Sequence, residues 1–370
     1  MGESKRIAII GGGIVGASVG YHLSKLGAYV TIFEKGSPGE GATGHSYAWI
    51  NSFDKHPRSY HELNHNSMNL WSRFADSIGK DIGLHWGGNV SFSSDIRDGK
   101  KLIGISKRLQ SWGYPARLIS SEQLGSLEPK LRTGPVSAAL YTWMDGHVIP
   151  VKVVAACLDA ITSTGGSVNL GTYVKSIRVS TEGSIVTTDS GDSLFDTIVV
   201  AAGTDCTEIA MAVGCHIPQR RSPGVVARTK PIPSIIQSLA SIHLPPLNGS
   251  NLQTHVRQDL DGIVTIGAGS QEDEEEDDSQ HHAEDMLKRA SFYFDELSSA
   301  EISPVPVGLR PMPIDGLPVI GFTNPGSHIY VTLMHSGVTL APIVGILAST
   351  EIMFGTNIDT LAPFRPARFS

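Results

Sequence analysis

The sequence predicts an α/β protein that combines a Rossmann-like dinucleotide-binding domain with a second, interleaved domain. Three observations lead to this fold class. The chain opens with a strand–helix–strand pattern over Ile7–Gly36 that has glycines at its first turn. A second apolar run, Thr197–Ala201, ends in small residues and opens a helix. The chain has 370 residues, which exceeds one ordinary domain of about 150 residues.

The composition argues against several classes of protein. With 40% hydrophobic and 18% charged residues, the chain can bury a sizeable core. A net charge of −7 argues against a nucleic-acid partner, which usually needs a basic face. Cys157, Cys206 and Cys215 show no CxxC spacing and predict reduced thiols in a cytoplasmic protein. No signal-peptide cleavage site and no run of about 18 apolar residues occurs, so we expect no transmembrane segment.

The first strand and turn have the residue types that a bound dinucleotide requires. Arg6–Ile10 is apolar after its arginine, as expected of a strand covered on both faces. Gly11, Gly13 and Gly16 match G-x-G-x-x-G. The first glycine makes the tight turn, the second lets a pyrophosphate approach, and the third lets the helix pack on the strand. The N–H groups of the first helical turn, which includes Ile14 and Val15, then face the phosphates.

The rest of this unit distinguishes between dinucleotides. The helix continues through Leu23 and Leu26 and is predicted to end at Gly27. The second strand, Tyr29–Phe33, runs into Glu34, where an acidic residue accepts the ribose hydroxyls of the adenosine half. A carboxylate there repels a 2′-phosphate, so NADP is disfavoured, while FAD and NAD remain.

The segment after the second strand favours FAD. Lys35–Asn51 is glycine-rich and irregular, whereas a simple NAD-binding domain continues with a crossover helix. Three later blocks follow in order: the strand end Ala201–Gly203, the GLRPMPIDGLPVIG stretch Gly308–Gly321, and a glycine with Leu-Ala-Pro at a helix start within Ile329–Ile352. With these blocks the chain resembles, essentially end to end, the D-amino-acid oxidase, glycine oxidase and sarcosine oxidase family of FAD-dependent oxidoreductases.

The resemblance implies a domain organisation. The FAD-binding domain would consist of three pieces, 1–58, 146–216 and 305–370. A mixed-sheet α+β substrate domain, 59–145 and 217–304, would cover the flavin. Strand-like runs in the substrate domain are expected at His85–Phe92, Val225–Thr229, Leu252–Val256 and Ile263–Ile266. Proline and glycine cluster at Pro231–Gly249, which we expect to be a loop.

The resemblance also implies which residues contact FAD. The C-terminal helix is expected to start at Thr339–Pro342 and to direct the positive end of its dipole at the flavin pyrimidine, where it stabilises negative charge. The expected cofactor contacts are Gly11, Gly13, Ile14, Val15, Gly16, Glu34, Lys35, Thr43, Gly44, His45, Ser46, Val174, Ala202, Gly203, Arg310, Ser336, Gly337, Val338 and Thr339.

Three residues are candidates for the substrate site. In the amino-acid and glycine oxidases, the arginine of the block that contains Arg310 pairs with the substrate carboxylate, which a guanidinium fork matches bidentately. The alternative is a structural ion pair with an acid such as Asp315. His255 replaces a tyrosine of glycine oxidases that binds the carboxylate, and could be an ordinary strand residue instead. His335 is expected either to line the substrate pocket or to be an ordinary loop residue.

Two positions bear on how the flavin is held and reoxidised. In dimethylglycine and sarcosine dehydrogenases, the histidine aligned with His45 is bonded covalently to the flavin. Here Gly44 replaces a tryptophan beside it, so we expect noncovalent FAD and keep the covalent link through His45 as the alternative. Thr265 stands near the place of the lysine that activates oxygen in sarcosine oxidases. The electron acceptor is therefore either oxygen or another oxidant.

No metal site is expected. The acidic run Glu272–Asp278 predicts a solvated loop or helix start. His281 and His282 have no i, i+4 partner arrangement that would suggest zinc.

The predicted function is FAD-dependent oxidation of a C–N bond in an amino acid or small amine, with hydride transfer to the flavin and an imine product. Three alternatives remain at this level. The substrate could be a larger secondary-amine metabolite, the chain could be a flavin-binding subunit of a complex, or it could be a NAD-linked dehydrogenase. The oligomeric state is open.

Overall fold

Two large sheets organise the chain. The computed structural model describes residues 4–247, 253–269 and 276–369. Its helices are α1 (Ile14–Lys25), α2 (Arg58–Met68), α3 (Trp71–Ile78), α4 (Ile96–Ser111), α5 (Ser121–Leu127), α6 (Pro150–Ser163), α7 (Cys206–Met211), α8 (Gln280–Ser291) and α9 (Gly337–Phe354). Short 3-10 helices span Gly203–Asp205, Asp295–Ser299, Asp359–Phe364 and Pro366–Phe369.

The strands of the first half of the chain are β1 (Arg6–Ile10), β2 (Tyr29–Phe33), β3 (Trp49–Ile50), β4 (His85–Trp86), β5 (Asn89–Ser93), β6 (Ala116–Ile119), β7 (Ala138–Thr142), β8 (Gly146–His147), β9 (Ser167–Asn169), β10 (Ser176–Ser180), β11 (Gly183–Thr188) and β12 (Gly191–Phe195). Those of the second half are β13 (Thr197–Val200), β14 (Gln219–Arg220), β15 (Pro223–Gly224), β16 (Val226–Thr229), β17 (Ser241–Leu244), β18 (Thr254–Gln258), β19 (Val264–Ala268), β20 (Ile302–Pro304), β21 (Gly308–Leu309), β22 (Met312–Pro313), β23 (Val319–Phe322) and β24 (Ile329–Leu333).

The first sheet has the order β23-β24-β13-β1-β2-β9. Its strands run parallel except the edge strand β23, which is antiparallel to β24. Both faces are covered, because alternate residues of β1 enter different cores. Ile7 and Ile9 pack with α1, α6 and α9, whereas Ala8 and Ile10 pack with the small β10–β12 sheet and α7. This is the parallel, doubly covered sheet that the opening motif predicts.

Helix α9 forms the centre of the layer that covers the first sheet on the side of α1 and α6. It packs against α1 and α2. Within the described part of the chain it is long and apolar enough to cross a membrane by length and composition, yet 67% of it is buried inside the protein, as in the core helix of a domain. It begins at Gly337, two residues before the predicted start.

The second sheet has the order β20-β16-β19-β18-β17-β5-β7-β6 and is mixed, since β17 and β5 pair in parallel while the other neighbours are antiparallel. We call it the roof sheet. Its two faces differ because strand residues alternate. Val90, Val256 and Ile266 join an apolar core with α8. The opposite face is polar and carries buried Arg257 and Thr265. The α/β fold with a mixed second sheet is therefore confirmed.

Some element predictions were wrong in detail. His85–Phe92 is not one strand, because Gly87 separates β4 from β5. At Gly87 the main chain passes so close to the Ser238 carbonyl oxygen that an added Cβ would lie 1.9 Å from it. Pro231–Gly249 is not only loop, since it contains β17, whose pairing with β5 and β18 is not visible in local composition. Leu252 lies outside the described residues. The domain boundaries given above stay a prediction.

Candidate active site

A groove runs along the carboxyl ends of β1, β2, β13 and β24, the edge where parallel sheets bind ligands. It holds about 1250 Å³ of space free of protein atoms, including its open side. Its walls come from the glycine turn, the loop after β2, the segment before β10, the end of β13 and the start of α9. A groove of this size and shape suits an extended dinucleotide.

The three glycines of the motif have different surroundings. Gly11 has φ +109°, and a Cβ there would lie 2.5 Å from the Ala201 carbonyl oxygen. A Cβ on Gly16 would lie 2.2 Å from the Gly11 carbonyl oxygen, on the side away from the groove. At Gly13 the nearest atom to an added Cβ is Thr43 Oγ1 at 3.3 Å. Only the space beside Gly13 is therefore left for a phosphate.

Glu34 closes the adenosine end of the groove. Its carboxylate accepts the Gly12 N–H at 2.6 Å and the Gly36 N–H at 2.8 Å. Each oxygen retains lone pairs that could accept ribose hydroxyls. Next to it, the Lys35 ammonium donates to the Asp205 carboxylate at 2.5 Å. This end therefore fits the ribose and adenine of FAD.

The loop that follows β2 is held between α1 and the roof sheet. Thr43 Oγ1 accepts the Ile14 N–H at 3.1 Å. From the roof sheet, Arg228 Nη2 donates to the Gly44 carbonyl at 2.8 Å. Arg257 Nε donates to the Tyr47 carbonyl at 2.6 Å. Two arginines of one sheet thus fix the main chain on both sides of His45.

His45 does not line the groove. Its Nδ1 lies 2.8 Å from the Gly41 carbonyl oxygen. Its Cβ faces Gly308, where an added Cβ would come within 2.4 Å of it. A covalent link to the flavin through His45 stays an alternative prediction.

At the other end, Arg310 sits between two short ladders. β15 pairs with β21 on one side of it, and β14 pairs with β22 on the other. Its Nη1 donates to the Pro223 carbonyl and, at 3.4 Å, to Ser222 Oγ. The alternative prediction was a structural ion pair between Arg310 and an acid such as Asp315. In the structure Asp315 pairs instead with Arg368, at 2.7 Å.

Arg310, His255 and His335 converge on one place. Burial, then His243, then the charge of Arg310 lower the pKa of His255. Burial, followed by the charges of Lys55, Arg310 and Arg220, lowers the pKa of His335. Both imidazoles are therefore neutral near pH 7. His335 is also in the wall of the groove, immediately before α9.

Aromatic side chains surround His255. The ring centroids of Tyr47 and His243 lie 4.4 Å and 5.3 Å from it. Trp49 is 4.6 Å from His243 and donates its indole N–H to Asp145 at 3.0 Å. Burial lowers the pKa of His243 to about 4. The polar roof face is thus lined by rings that carry no charge near pH 7.

Several buried polar atoms here have no protein partner. They are Asn89 Oδ1, His243 Nε2, Arg257 Nη1 and Thr265 Oγ1 on the roof face, and Thr332 Oγ1 in the groove. A buried polar atom without a hydrogen bond costs free energy, so such a cluster indicates bound ligand or water. Together with the open space at Gly13, these atoms fit a dinucleotide in the groove and a polar ring system under the roof.

Most of the predicted cofactor residues line the groove. These are Gly11, Gly13, Ile14, Val15, Glu34, Lys35, Thr43, Ser46, Val174, Ala202, Gly203, Gly337 and Val338. Gly16, Gly44, His45, Arg310, Ser336 and Thr339 do not line it. Thr339 is 2% exposed, accepts the Asn51 N–H and donates to the Trp49 carbonyl, so it fixes β3. Ser336 Oγ is 2.7 Å from the Tyr60 hydroxyl.

Other lining residues were missed. They are Ile10, Phe33, Gly39, Glu40, Gly41, Ala42, Thr172, Tyr173, Thr204, Asp205, Ile209, Leu309, Pro311, Thr332, Leu333 and Met334. Most lie in loops without a motif. The exposed Tyr173, which lies between β9 and β10 beside the predicted Val174, was the clearest available signal.

The acidic run and the histidine pair concern the prediction that no metal site exists. Among residues 4–247, 253–269 and 276–369, no group of three His, Cys, Asp or Glu side chains could hold a metal ion. Residues 272–275 of the acidic run lie outside the described residues. Glu276 pairs with Arg221 at 2.7 Å, and Asp278 accepts the Val307 N–H.

Comparison with known proteins agrees with this geometry. A glycine oxidase of Geobacillus kaustophilus is 25% identical over 377 residues, covering 98% of this chain and 96% of that protein. An opine oxidase subunit of Agrobacterium tumefaciens is 26% identical over 373 residues, covering 98% and 97%. The crystal structure of the Geobacillus kaustophilus glycine oxidase aligns with a TM-score of 0.86 at 23% identity, over 99% of each chain.

The sequence profile described as FAD dependent oxidoreductase matches residues 6–350. This match confirms FAD as the cofactor and redox catalysis as the activity, and it overturns the NAD-linked alternative. The chain belongs to the family of FAD-dependent oxidoreductases that includes the amino-acid and amine oxidases.

Proposed function

We propose that this protein oxidises the C–N bond of a small amine or amino acid whose carboxylate is held by Arg310. The observation that carries the proposal is that Arg310 lies close enough to both His255 and His335 for its charge to lower their pKa values, while His335 lies in the wall of the groove. Relatives named glycine oxidase and opine oxidase support it.

The side chains around this place suit a carboxylated amine. The Arg310 fork can bind a carboxylate bidentately, which orients the α-carbon. His255 and His335 are neutral and can hydrogen-bond without adding charge. The positive charges nearby favour the neutral form of a substrate amine, because like charges lower the pKa of an ammonium. When bound, FAD supplies the acceptor for the hydride that the neutral amine releases.

The test is Arg310→Ala, assayed with glycine and sarcosine and with methylamine, which lacks the carboxylate. Loss of charge-assisted hydrogen bonds of about 1.5–3 kcal/mol each should lower kcat/KM for the carboxylated substrates roughly tenfold to a hundredfold or more. Arg310→Lys should recover only part of this, because a point charge does not reproduce the fork. Turnover of methylamine should change little.

The control is Arg178→Ala, which removes an exposed arginine paired with Asp192 far from the groove. FAD content is measured in every variant, because Arg310 also holds Pro223. Full activity of Arg310→Ala on a carboxylated substrate would show that Arg310 is structural and would move a larger secondary amine ahead of the amino acid.

A second candidate is a flavin-binding subunit of a larger complex. The similarity to an opine oxidase subunit over 98% of this chain favours it. Light scattering of the purified chain, combined with turnover using a dye as acceptor, separates the two candidates, since a dependent subunit would turn over only with its partner.

Three expectations belong with this proposal. The acceptor of electrons is oxygen or another oxidant, with Thr265 in place of a lysine. The protein functions in the cytoplasm, as its cysteine usage predicts. Its partners are small molecules and not nucleic acids, in keeping with its net charge of −7.

A further inference from the structure

Lys55 lies at the same end of the groove as His335. It stands between β3 and α2, and its Nζ is 5.7 Å from the centroid of the Tyr60 ring. The Tyr60 hydroxyl is in turn 2.7 Å from Ser336 Oγ, directly before α9. The charge of Lys55 reaches His335 and lowers the pKa of that imidazole. Lys55 therefore lies near the proposed substrate place, on the side of α2 and α9.

Among the described residues no carboxylate forms an ion pair with the Lys55 ammonium, although the charge of Asp54 acts on it and partly offsets the effect of burial on its pKa. Asp54, its neighbour in sequence, is paired with Arg108 and with His56. Burial lowers the pKa of Lys55 to about 8. A poorly hydrated cation is costly unless an anion accompanies it, and the Tyr60 ring compensates only in part. Such a residue is expected where the missing anion arrives with a ligand.

Lys55 and Arg310 approach His335 from different parts of the fold. Arg310 is held by the β14–β22 and β15–β21 ladders, whereas Lys55 precedes α2. Arg220 adds a third positive charge near His335. The proposed function assigns the first substrate carboxylate to Arg310, so an anionic group that binds Lys55 would be a second one.

We propose that Lys55 binds a second carboxylate of the substrate, so that the preferred substrates are amines with two carboxylates. This inference rests on the proposed function. The second carboxylate could stand on the nitrogen substituent, as in iminodiacetate, or on the α-carbon side chain, as in aspartate. Both present the same chemistry to Lys55, and the assay distinguishes them.

The experiment compares kcat/KM for pairs that differ by one carboxylate, iminodiacetate against sarcosine and aspartate against alanine, with a dye as acceptor. The wild type should prefer one dicarboxylate over its partner. Lys55→Met keeps the aliphatic stem without the charge and should lower that preference about tenfold to a hundredfold, the range expected for losing a charge-assisted hydrogen bond. Lys55→Arg should keep most of the preference.

The matched control is Lys80→Met, which removes an exposed lysine paired with Asp159 and should leave the preference unchanged. Binding is followed in parallel through the flavin absorption spectrum, which needs no turnover. A wild type without preference in binding, or a Lys55→Met variant that retains the preference with FAD bound, overturns the inference. Preferential binding of a dicarboxylate without turnover supports Lys55 as its site and counts instead against the proposed function.

Discussion

Two glycines of the first turn, three residues apart, should respond to the same substitution in opposite ways. A methyl group at Gly13 enters the groove, where its nearest protein neighbour is Thr43 Oγ1 at 3.3 Å. A methyl group at Gly16 would lie 2.2 Å from the Gly11 carbonyl oxygen. Gly13→Ala should therefore weaken FAD binding with little loss of stability, and Gly16→Ala should destabilise the apoprotein.

The magnitudes follow from these surroundings. Gly13 has φ −76°, which any residue adopts, and Thr43 needs to move only a few tenths of an ångström, so the free energy of unfolding should change by less than about 1 kcal/mol. The FAD dissociation constant should rise at least about tenfold, because the pyrophosphate loses its closest approach to the main chain. At Gly16 the neighbour is main chain, so α1 must separate from β1 at a cost of about 1–3 kcal/mol or more.

The assay separates the two effects. FAD is removed, apoprotein stability is measured by denaturant unfolding, and FAD is then titrated back by fluorescence quenching. Gly104→Ala is the control, because a Cβ on this exposed residue of α4 meets nothing within 4 Å. Gly13→Val should bind no FAD. The reasoning fails if Gly13→Ala binds FAD as tightly as the wild type, or if Gly16→Ala apoprotein is as stable as the wild type.

Two further predictions concern His45 and Asp145. Acid precipitation should leave the yellow flavin in the supernatant, and colour that stays in the wild-type pellet but not in the His45→Ala pellet would establish the covalent link. Burial raises the pKa of Asp145 from 3.8 to about 7. As the pH rises, Asp145 ionises near pH 4 in the unfolded state but only near pH 7 in the folded state. Its contribution to the free energy of unfolding is therefore complete below about pH 4 and is lost as the pH rises to about 7. Relative to Asp145→Asn, the wild type should lose up to about 4 kcal/mol over this range in denaturant titrations, and parallel pH profiles would contradict this.

The parts of the site that depend on short stretches of chain could be predicted. The glycine turn and the acid after β2 follow from what a pyrophosphate and a ribose require of neighbouring residues. The four residues concerned, Gly11, Gly13, Gly16 and Glu34, lie at the first turn and at the end of β2, as the motif implies. Family resemblance added Val174 and His335, which local pattern alone does not mark.

The parts that depend on distant pairing could not be predicted. His243 faces His255 only because β17 pairs with β18, and β17 lies in a segment rich in proline and glycine. Asp315 was an apparent partner of Arg310 by proximity in sequence, yet the fold brings Arg368 to it. Lys55 belongs to no motif, and its proximity to His335 depends on the packing of α2 against α9.

The packing of α1 against α9 has a consequence for synthesis of the protein. The glycine turn leaves the ribosome about 300 residues before α9, which at 5–20 residues per second is roughly 15–60 s. During the first part of that interval β1 lacks its neighbour β13, which is complete only at Val200. Until α9 is made, the apolar residues of α1 lack their partner helix. Contacts this distant in sequence form slowly. Because the start of α9 forms part of the groove wall, we expect FAD to bind stably only after α9 has been made.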